Sequence, residues 1–542
     1  MNATSRADLT LINGKIITMN AGAEIVPAVA VKDGKIIAVG TTAGIRRIAG
    51  KDTKIIDLKG KTVSPGFIES HCHPNSSGTS MLFEAALGEA RSMDDILEML
   101  LEKKKNVPEG KWLRGRGYDD QRLREKRHPT RWDLDKVSTR HPVYIVRTDG
   151  HLSVGNSEAL RLAGISRDTP EPAGGRIDRD GTSGEPNGLL RESAQAFIRK
   201  IIPPYTVAER KEGIIVAQKK LASWGITSYG DAGVDHDAFV AYQELLNEGK
   251  LLLRAALMMQ CLVRSGGSYL KELATTGFKA GFGNERLRIL GAKMFCDGSM
   301  SGWTAALHEP YANMPTERGM IVFGEKQLHK AIYDAHKAGL RPIVHAIGDR
   351  AIDITLDGIE KALRDYSASD HRMRIEHCSL PTERAIARMK RLRVMPGSSV
   401  GFIYELGPAH YIGLGEGRMK YYFPHKTYVK EGIIAAGNSD WHVTSANIAN
   451  QLYSVVTRKG YNGQVIGGEQ ALPVMEALKL YTINAAYASF EERIKGSIEV
   501  GKLADFTVLD RDILTIPQDD LINMKPEMTI VGGAIIYDRN TT

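Results

Sequence analysis

The sequence predicts an α/β protein built on a (β/α)8 TIM barrel, with a small β-sandwich domain made from both chain ends and a subdomain inserted after the first barrel strand. Three observations point there. From about residue 207 onward short apolar runs alternate with helical patterns, the apolar runs that read as barrel strands number eight, and the two ends have the texture of hairpins instead.

The helical stretches carry apolar residues at spacings of three and four, and several stop at a glycine. Residues 209–224 end at Gly225 before "ITSYGDAG", and 235–248 end at Gly249 before "LLLRAALMMQC". In the next, 325–338, Leu328, Ala331, Ile332 and Ala335 share a face, and Gly339 precedes "RPIVHAIGD". Helices over 349–364 and 381–392 follow. The strands are then "TVSPGFIESHCH", "GITSYGDAG", "LRAALMMQC", "LRILGAKMFCDG", "RPIVHAIGD", "RMRIEHCS", "RVMPGSS" and "IIAAGNSDW".

Residues 75–206 are too long for a loop and carry their own Gly/Pro-rich segment, "TPEPAGGRIDRDGTSGEPNG", so they read as a subdomain capping the barrel mouth. At the ends, "VAVKDGKIIAVG" turns at Asp33-Gly34 and "MTIVGGAIIY" at Gly532-Gly533. The expected division is a β domain from 1–63 and 496–542, a barrel over 64–495, and the insertion at 75–206 within it.

Composition narrows the function. With 542 residues, 42% hydrophobic and 25% charged, the chain can bury a large core. The net charge of +8 is small for this length, and the basic stretch from Arg114 to Arg131 is interleaved with Asp119, Asp120 and Glu125, so a solvated mixed surface is expected and no nucleic-acid partner. The N-terminal stretch "MNATSRADLTLING" lacks a signal-peptide core, and Arg254 and Gln260 break the most apolar run, so no membrane association and a cytoplasmic location are expected. The four cysteines show no C-x-x-C spacing and are expected as reduced thiols. A homo-oligomer, a dimer in the simplest case, is expected as well.

Polar residues collect at the predicted strand ends: His71 and His73 on strand 1, Lys293 on strand 4, His345 on strand 5, His377 on strand 6 and Asp440 on strand 8. Alternate residues of a strand share a face, so His71 and His73 turn inward together while Cys72 turns back toward the helices. Imidazole and carboxylate without thiolate suit zinc or a similar borderline ion. A protonated lysine cannot ligate, whereas a lysine carboxylated by CO2 can. Cys296 and Cys378, beside ligand positions, are expected in the core. "GSSVG", 397–401, matches the nucleophile elbow of serine hydrolases, but Pro396 and the absence of a following helical stripe argue against Ser399 as a nucleophile.

With these motifs in order, the sequence resembles the amidohydrolase superfamily. "SPGFIESHCHP" is similar to its first-strand motif, and "KGSIEVGKLADFTVLD" with "MTIVGGAIIY" to its C-terminal signature. "LGAKMFCDGSMSGWTAAL", "VHAIGDRAI", "IEHC", "GNSDW", "DGHLSVGNSEAL" and "GEPNGLLRE" resemble the family 3 branch, which includes N-substituted formamide deformylases. The resemblance implies two divalent ions per subunit, zinc by preference. His71, His73 and Asp440 would hold the first, His345 and His377 the second, and carboxylated Lys293 would join both. Where the family commonly has a small residue and proline after the strand 8 aspartate, this chain has Trp441-His442.

The reaction expected is hydrolysis of a C–N bond (amide, N-formyl or N-acyl) in a small molecule by a metal-activated water, with Asp440 as general base and then acid. A deaminase, cyclic-amide, carbamate or ester hydrolase on the same scaffold is the alternative, and a non-catalytic relative the remote one. His151, Asp297, Trp303, Asp349 and Trp441 are expected to contact substrate. His308, His336 and His410 receive no role.

Overall fold

A computed structural model of the chain describes residues 6–263 and 268–541; the first five residues of the stretch read for a leader lie outside them. Its centre is an eight-stranded parallel sheet: β1 (Phe67–Cys72), β2 (Ile226–Val234), β3 (Arg254–Leu262), β4 (Leu287–Phe295), β5 (Pro342–Ala346), β6 (Arg374–His377), β7 (Met395–Ser399) and β8 (Ala436–Asn438), paired in that order. This is the (β/α)8 barrel the alternating pattern predicts. The strands are buried along nearly their whole length, which is why they read as near-continuous apolar runs.

Closure falls at β8 and β1, and it uses the residues of the site itself. Asp440 N–H donates to His71 O at 3.1 Å, His73 N–H to Trp441 O at 2.7 Å, and the buried Glu69 carboxylate accepts Ser439 N–H at 3.0 Å. One expectation changes here. "TVSPGFIESHCH" is two strands, because Thr62–Pro65 leaves the barrel to pair antiparallel with Phe506–Leu509.

Around the barrel run α1 (Val207–Ser223), α2 (His236–Asn247), α3 (Glu325–Lys337), α4 (Asp349–Asp365) and α5 (Glu383–Leu392). Their starts are capped: Thr206 and Glu209 form a reciprocal box at α1, the Asp235 carboxylate accepts Ala238 N–H at α2, and Thr382 caps α5. After α2 and α3 the chain turns at Gly249 (φ +67°) and Gly339 (φ +78°), left-handed positions that a side chain resists.

Between β1 and β2 the chain builds a separate six-stranded sheet, in the order Gly175–Arg179, Pro186–Glu192, Leu152–Gly155, Val143–Arg147, Leu113–Tyr118 and Ala85–Ala86. The Gly/Pro-rich segment is its edge hairpin. Arg147 fastens this sheet to the barrel. Fully buried, it donates to Asp119, Asp120, Asp149 and, beyond β4, Ser301, so its charge is met three times over.

The two ends build sheets of four and six strands, and the second mixes both termini: Thr62–Pro65 lies between Lys15–Ile17 and Phe506–Leu509. The hairpins turn at Asp33-Gly34 and Gly532-Gly533 as expected. The apolar run around Arg254 is β3, and no helix among the described residues is long and apolar enough to cross a membrane.

Candidate metal centre

At the C-terminal ends of the strands lies a cavity of about 410 Å³, and His71, His73, Lys293, His345, His377 and Asp440 all line it. His71 and His73 share a face of the chain leaving β1, while the Cys72 sulfur turns away toward Gly230 O. One nitrogen of His71, one of His73 and one Asp440 oxygen lie within 4.8 Å of one another. Two of these residues leave the ordinary backbone regions: His377 has φ +66° and Asp440 φ +56°. Such conformations cost of order 1–3 kcal/mol each and persist where surrounding structure enforces them, commonly at functional sites.

Each imidazole has one nitrogen engaged by the protein. His71 Nδ1 is bonded to the Glu376 carboxylate, which Arg374 grips in turn at 2.7 and 2.9 Å; His73 Nδ1 donates to Ala232 O at 2.8 Å. His345 Nε2 donates to Gly298 O at 3.0 Å. His377 Nδ1 donates to Ser399 Oγ at 2.7 Å, and the Ser399 hydroxyl donates to Asn438 Oδ1 at 2.8 Å. The opposite nitrogen of every ring therefore carries its lone pair, the arrangement that orients metal-binding histidines.

These lone pairs test whether an ion fits. His73 Nε2 stands 3.0 Å from Asp440 Oδ1 and His71 Nε2 stands 3.5 Å from it. Two imidazoles and a carboxylate thus converge on one point, a donor set that one divalent ion would suit. Lys293 Nζ lies 3.3 Å from His71 Nε2. The charge states agree with this geometry. Burial holds the His71 and His345 rings well below their ordinary range, Lys293 adding to it at His71 and His377 at His345, and burial brings His377 down to about 4. Burial alone would raise the Asp440 carboxyl, but His73, His377 and His71 around it hold it well below the usual carboxylate range.

The expected substrate contacts fare unevenly. His151 lines the cavity from the inserted sheet, its Nδ1 bonded to Glu192 at 3.0 Å and its ring 5.1 Å from that of His345. Asp297, Trp303, Asp349 and Trp441 do not line it. Asp297 is fully buried and accepts the N–H groups of Ile347, Gly348 and Ala306, with burial pushing its pKa up to about 7. Trp303 packs edge-on against Tyr311 and fills the space beside Gly413. Asp349 accepts His308 N–H at 2.9 Å at the start of α4, and Trp441 packs edge-on against Trp224 in the core. Strand-end polar and aromatic residues can serve the backbone and the core as well as a ligand, and these four do.

Ser399 also differs from expectation. The strand does run into a helix, Gly401–Glu405, yet the hydroxyl is buried and spent on His377 and Asn438, outside the cavity. Cys296 and Cys378 are buried in the core, and burial pushes the Cys378 thiol up to about 12.

The cavity lining also holds residues that sequence reasoning missed: Glu84, Arg116, Arg199, Tyr205, Arg210, Asp231 and His442. His442, next to the expected Trp441, takes the inward place, with Nδ1 at 3.1 Å from Ser77 Oγ and Nε2 accepting from Arg116 at 2.8 Å. The Leu113–Tyr118 strand carried a signal, since Arg114 and Arg116 alternate with Leu113 and Gly115. Part of the stretch read as solvated surface thus turns inward. Asp231, a lone carboxyl near the end of β2, accepts Tyr242 Oη at 2.6 Å, and burial raises it to about 6.

Residues 54–537 match the family model described as the amidohydrolase family. The chain belongs to the amidohydrolase family. Among its relatives, this amidohydrolase is 32% identical over 539 residues to YtcJ of Bacillus subtilis (strain 168), covering 97% of this chain and 99% of that one. It is 29% identical over 548 residues to N-substituted formamide deformylase of Arthrobacter pascens, covering 99% of each chain. The crystal structure of an uncharacterized metal-dependent hydrolase from Pyrococcus furiosus superposes with a TM-score of 0.73 at 31% identity, over 94% of this chain and all of that one. The inserted sheet and the end sheets thus lie within the length shared with these relatives.

Proposed function

We propose that this amidohydrolase is a metal-dependent enzyme that hydrolyses a C–N bond, that of an amide, N-formyl or N-acyl group, in a small molecule. The convergence of His71, His73 and Asp440 ligand atoms at the mouth of the barrel carries the reading. His71, His73 and Asp440 would hold one divalent ion and His345 and His377 a second, with Lys293, carboxylated on Nζ, contributing an oxygen donor to both. Zinc suits this imidazole and carboxylate set.

When bound, such ions supply Lewis-acid polarisation of the scissile carbonyl and an attacking water of lowered pKa, near ~7. The chain supplies the rest. Asp440, ionised and held between the two histidines, accepts the proton of the attacking water at a carboxylate oxygen and delivers it to the leaving nitrogen. Glu376, Ala232 O, Gly298 O and Ser399 keep the four rings turned so that one nitrogen of each stays available. His151, steadied by Glu192, contacts the substrate from above. The inserted sheet over 75–206 closes the barrel of 64–495, and the end-built sheets of 1–63 and 496–542 support its flank. Four buried thiols without disulfides suit the cytoplasm.

The test is a screen of N-formyl, N-acyl and carbamoyl compounds with metal content measured on the same sample. Hydrolysis of a member of the set by metal-loaded protein, lost on chelation and regained with added divalent ion, is expected. Turnover indifferent to chelation would sink the proposal.

A further inference from the structure

Three arginines line the same cavity as the histidines, and their charges are balanced unequally. Arg116 donates from Nε to Glu84 at 3.3 Å, and Arg210 from Nη2 to Asp235 at 3.0 Å, so each has a carboxylate partner. Arg199 differs. Its Nε donates to Tyr144 Oη at 3.1 Å, and its Nη2 donates to Gly150 O at 3.3 Å and Gln195 Oε1 at 2.8 Å, all neutral oxygens. Among the described residues it makes no ion pair, and its Nη1 makes no hydrogen bond. A guanidinium stays charged at any working pH and offers its N–H groups in a rigid plane. Three bonds hold this one in place while its charge and one NH2 group remain unspent.

Its position relates it to the proposed chemistry. Arg199 grips the carbonyl of Gly150, the residue before His151, and the His151 ring lies 5.1 Å from His345. Arg199 and the ligand histidines line the same cavity, so a group bound at Arg199 shares that space with the reacting centre. We propose that Arg199 is an anion subsite and that the substrate is a carboxylate-bearing amide, an N-formyl or N-acyl amino acid in chemical class. One guanidinium without a carboxylate partner matches a monoanion, and the Asp231 carboxylate lining the same cavity, without an ion-pair partner among the described residues, disfavours a phosphate dianion. This inference deepens, and rests on, the hydrolase reading of the same cavity.

Two ligands of matched shape test it without turnover: 3-phenylpropanoate and 3-phenylpropan-1-ol, titrated calorimetrically into the metal-loaded full chain. The acid should bind about 10- to 100-fold more tightly, the range for a charge-assisted hydrogen bond. Arg199→Gln and Arg199→Met should each bring that ratio to within about 3-fold of one, and Arg199→Lys, keeping the charge, should retain part of it, with melting temperatures recorded to establish folding. Equal binding of acid and alcohol, binding of neither, or an undiminished ratio in either folded neutral variant overturns the proposal. Hydrolysis of N-formylphenylalanine is scored separately. An Arg199-dependent preference with no formamide hydrolysed would leave the subsite standing and remove the hydrolase reading.

Discussion

The two walls of the cavity are built on different rules. The barrel wall presents four imidazoles and a carboxylate from the ends of β1, β5, β6 and β8, each ring held by one hydrogen bond so that the other nitrogen stays available. The rest of the lining, from the inserted sheet, the segment after it and α1, presents arginines matched to carboxylates, with Arg199 left over. On the barrel wall two imidazoles and a carboxylate converge where an ion could be held. Elsewhere in the lining Arg116 and Arg210 are paired with carboxylates, while Arg199 and Asp231 have no ion-pair partner among the described residues. On the proposed reading, chemistry and recognition would fall to separate pieces of chain, the general advantage of a barrel whose loops vary while its strand ends are held.

Breaking the barrel wall should cost most. Asp440→Asn removes the proton acceptor and leaves a neutral isostere, so turnover should fall by about 100- to 10,000-fold with the fold intact; steady-state rates beside circular dichroism check this, and unchanged turnover would take Asp440 out of the mechanism. Glu376→Gln acts one layer behind, weakening the grip on His71 Nδ1. Metal affinity should drop about 10- to 100-fold, measured by competition with a chromogenic chelator.

A pH comparison sharpens the same wall. In chelator-treated protein the His377 ring is protonated only near pH 4, whereas in the unfolded chain it is protonated near 6.5. Between those values the unfolded state binds the extra proton, so this site's contribution to stability is full above 6.5 and is lost as pH falls toward 4. The stability advantage of wild type over His377→Asn should therefore shrink by on the order of 2 kcal/mol between pH 7 and pH 4.5, read by denaturant melts at both. A difference independent of pH would show that His377 is not held neutral. Smallest of all, Asp349→Asn should leave kcat/KM within about 3-fold of wild type, because Asp349 serves His308 N–H outside the cavity; a larger loss would return it to the site.

The same division explains what the sequence discloses. The eight strands are legible because parallel barrel strands are buried on both faces and read as apolar runs, and the residues at their ends stand out as polar interruptions. The shared face of His71 and His73 follows from the two-residue period, and their reading as ligands from the resemblance. Asp297 and Trp441 mislead for a physical reason: beyond a strand end the period is lost, and a carboxylate can be absorbed by three backbone N–H groups or a tryptophan by the core. His442 and Arg199 could not be placed, since their inward position depends on how the inserted sheet seats on the barrel, through contacts such as Arg147 with Ser301 that join residues far apart in the chain.

The most direct measurement is the metal-to-protein ratio of wild type beside two double variants, His71→Asn/His73→Asn and His345→Asn/His377→Asn, each with its hydrolytic rate. Two divalent ions per wild-type chain are predicted, with each double variant losing at least one ion together with the activity. Either variant retaining the full metal content and rate of wild type would contradict a metal centre at these strand ends.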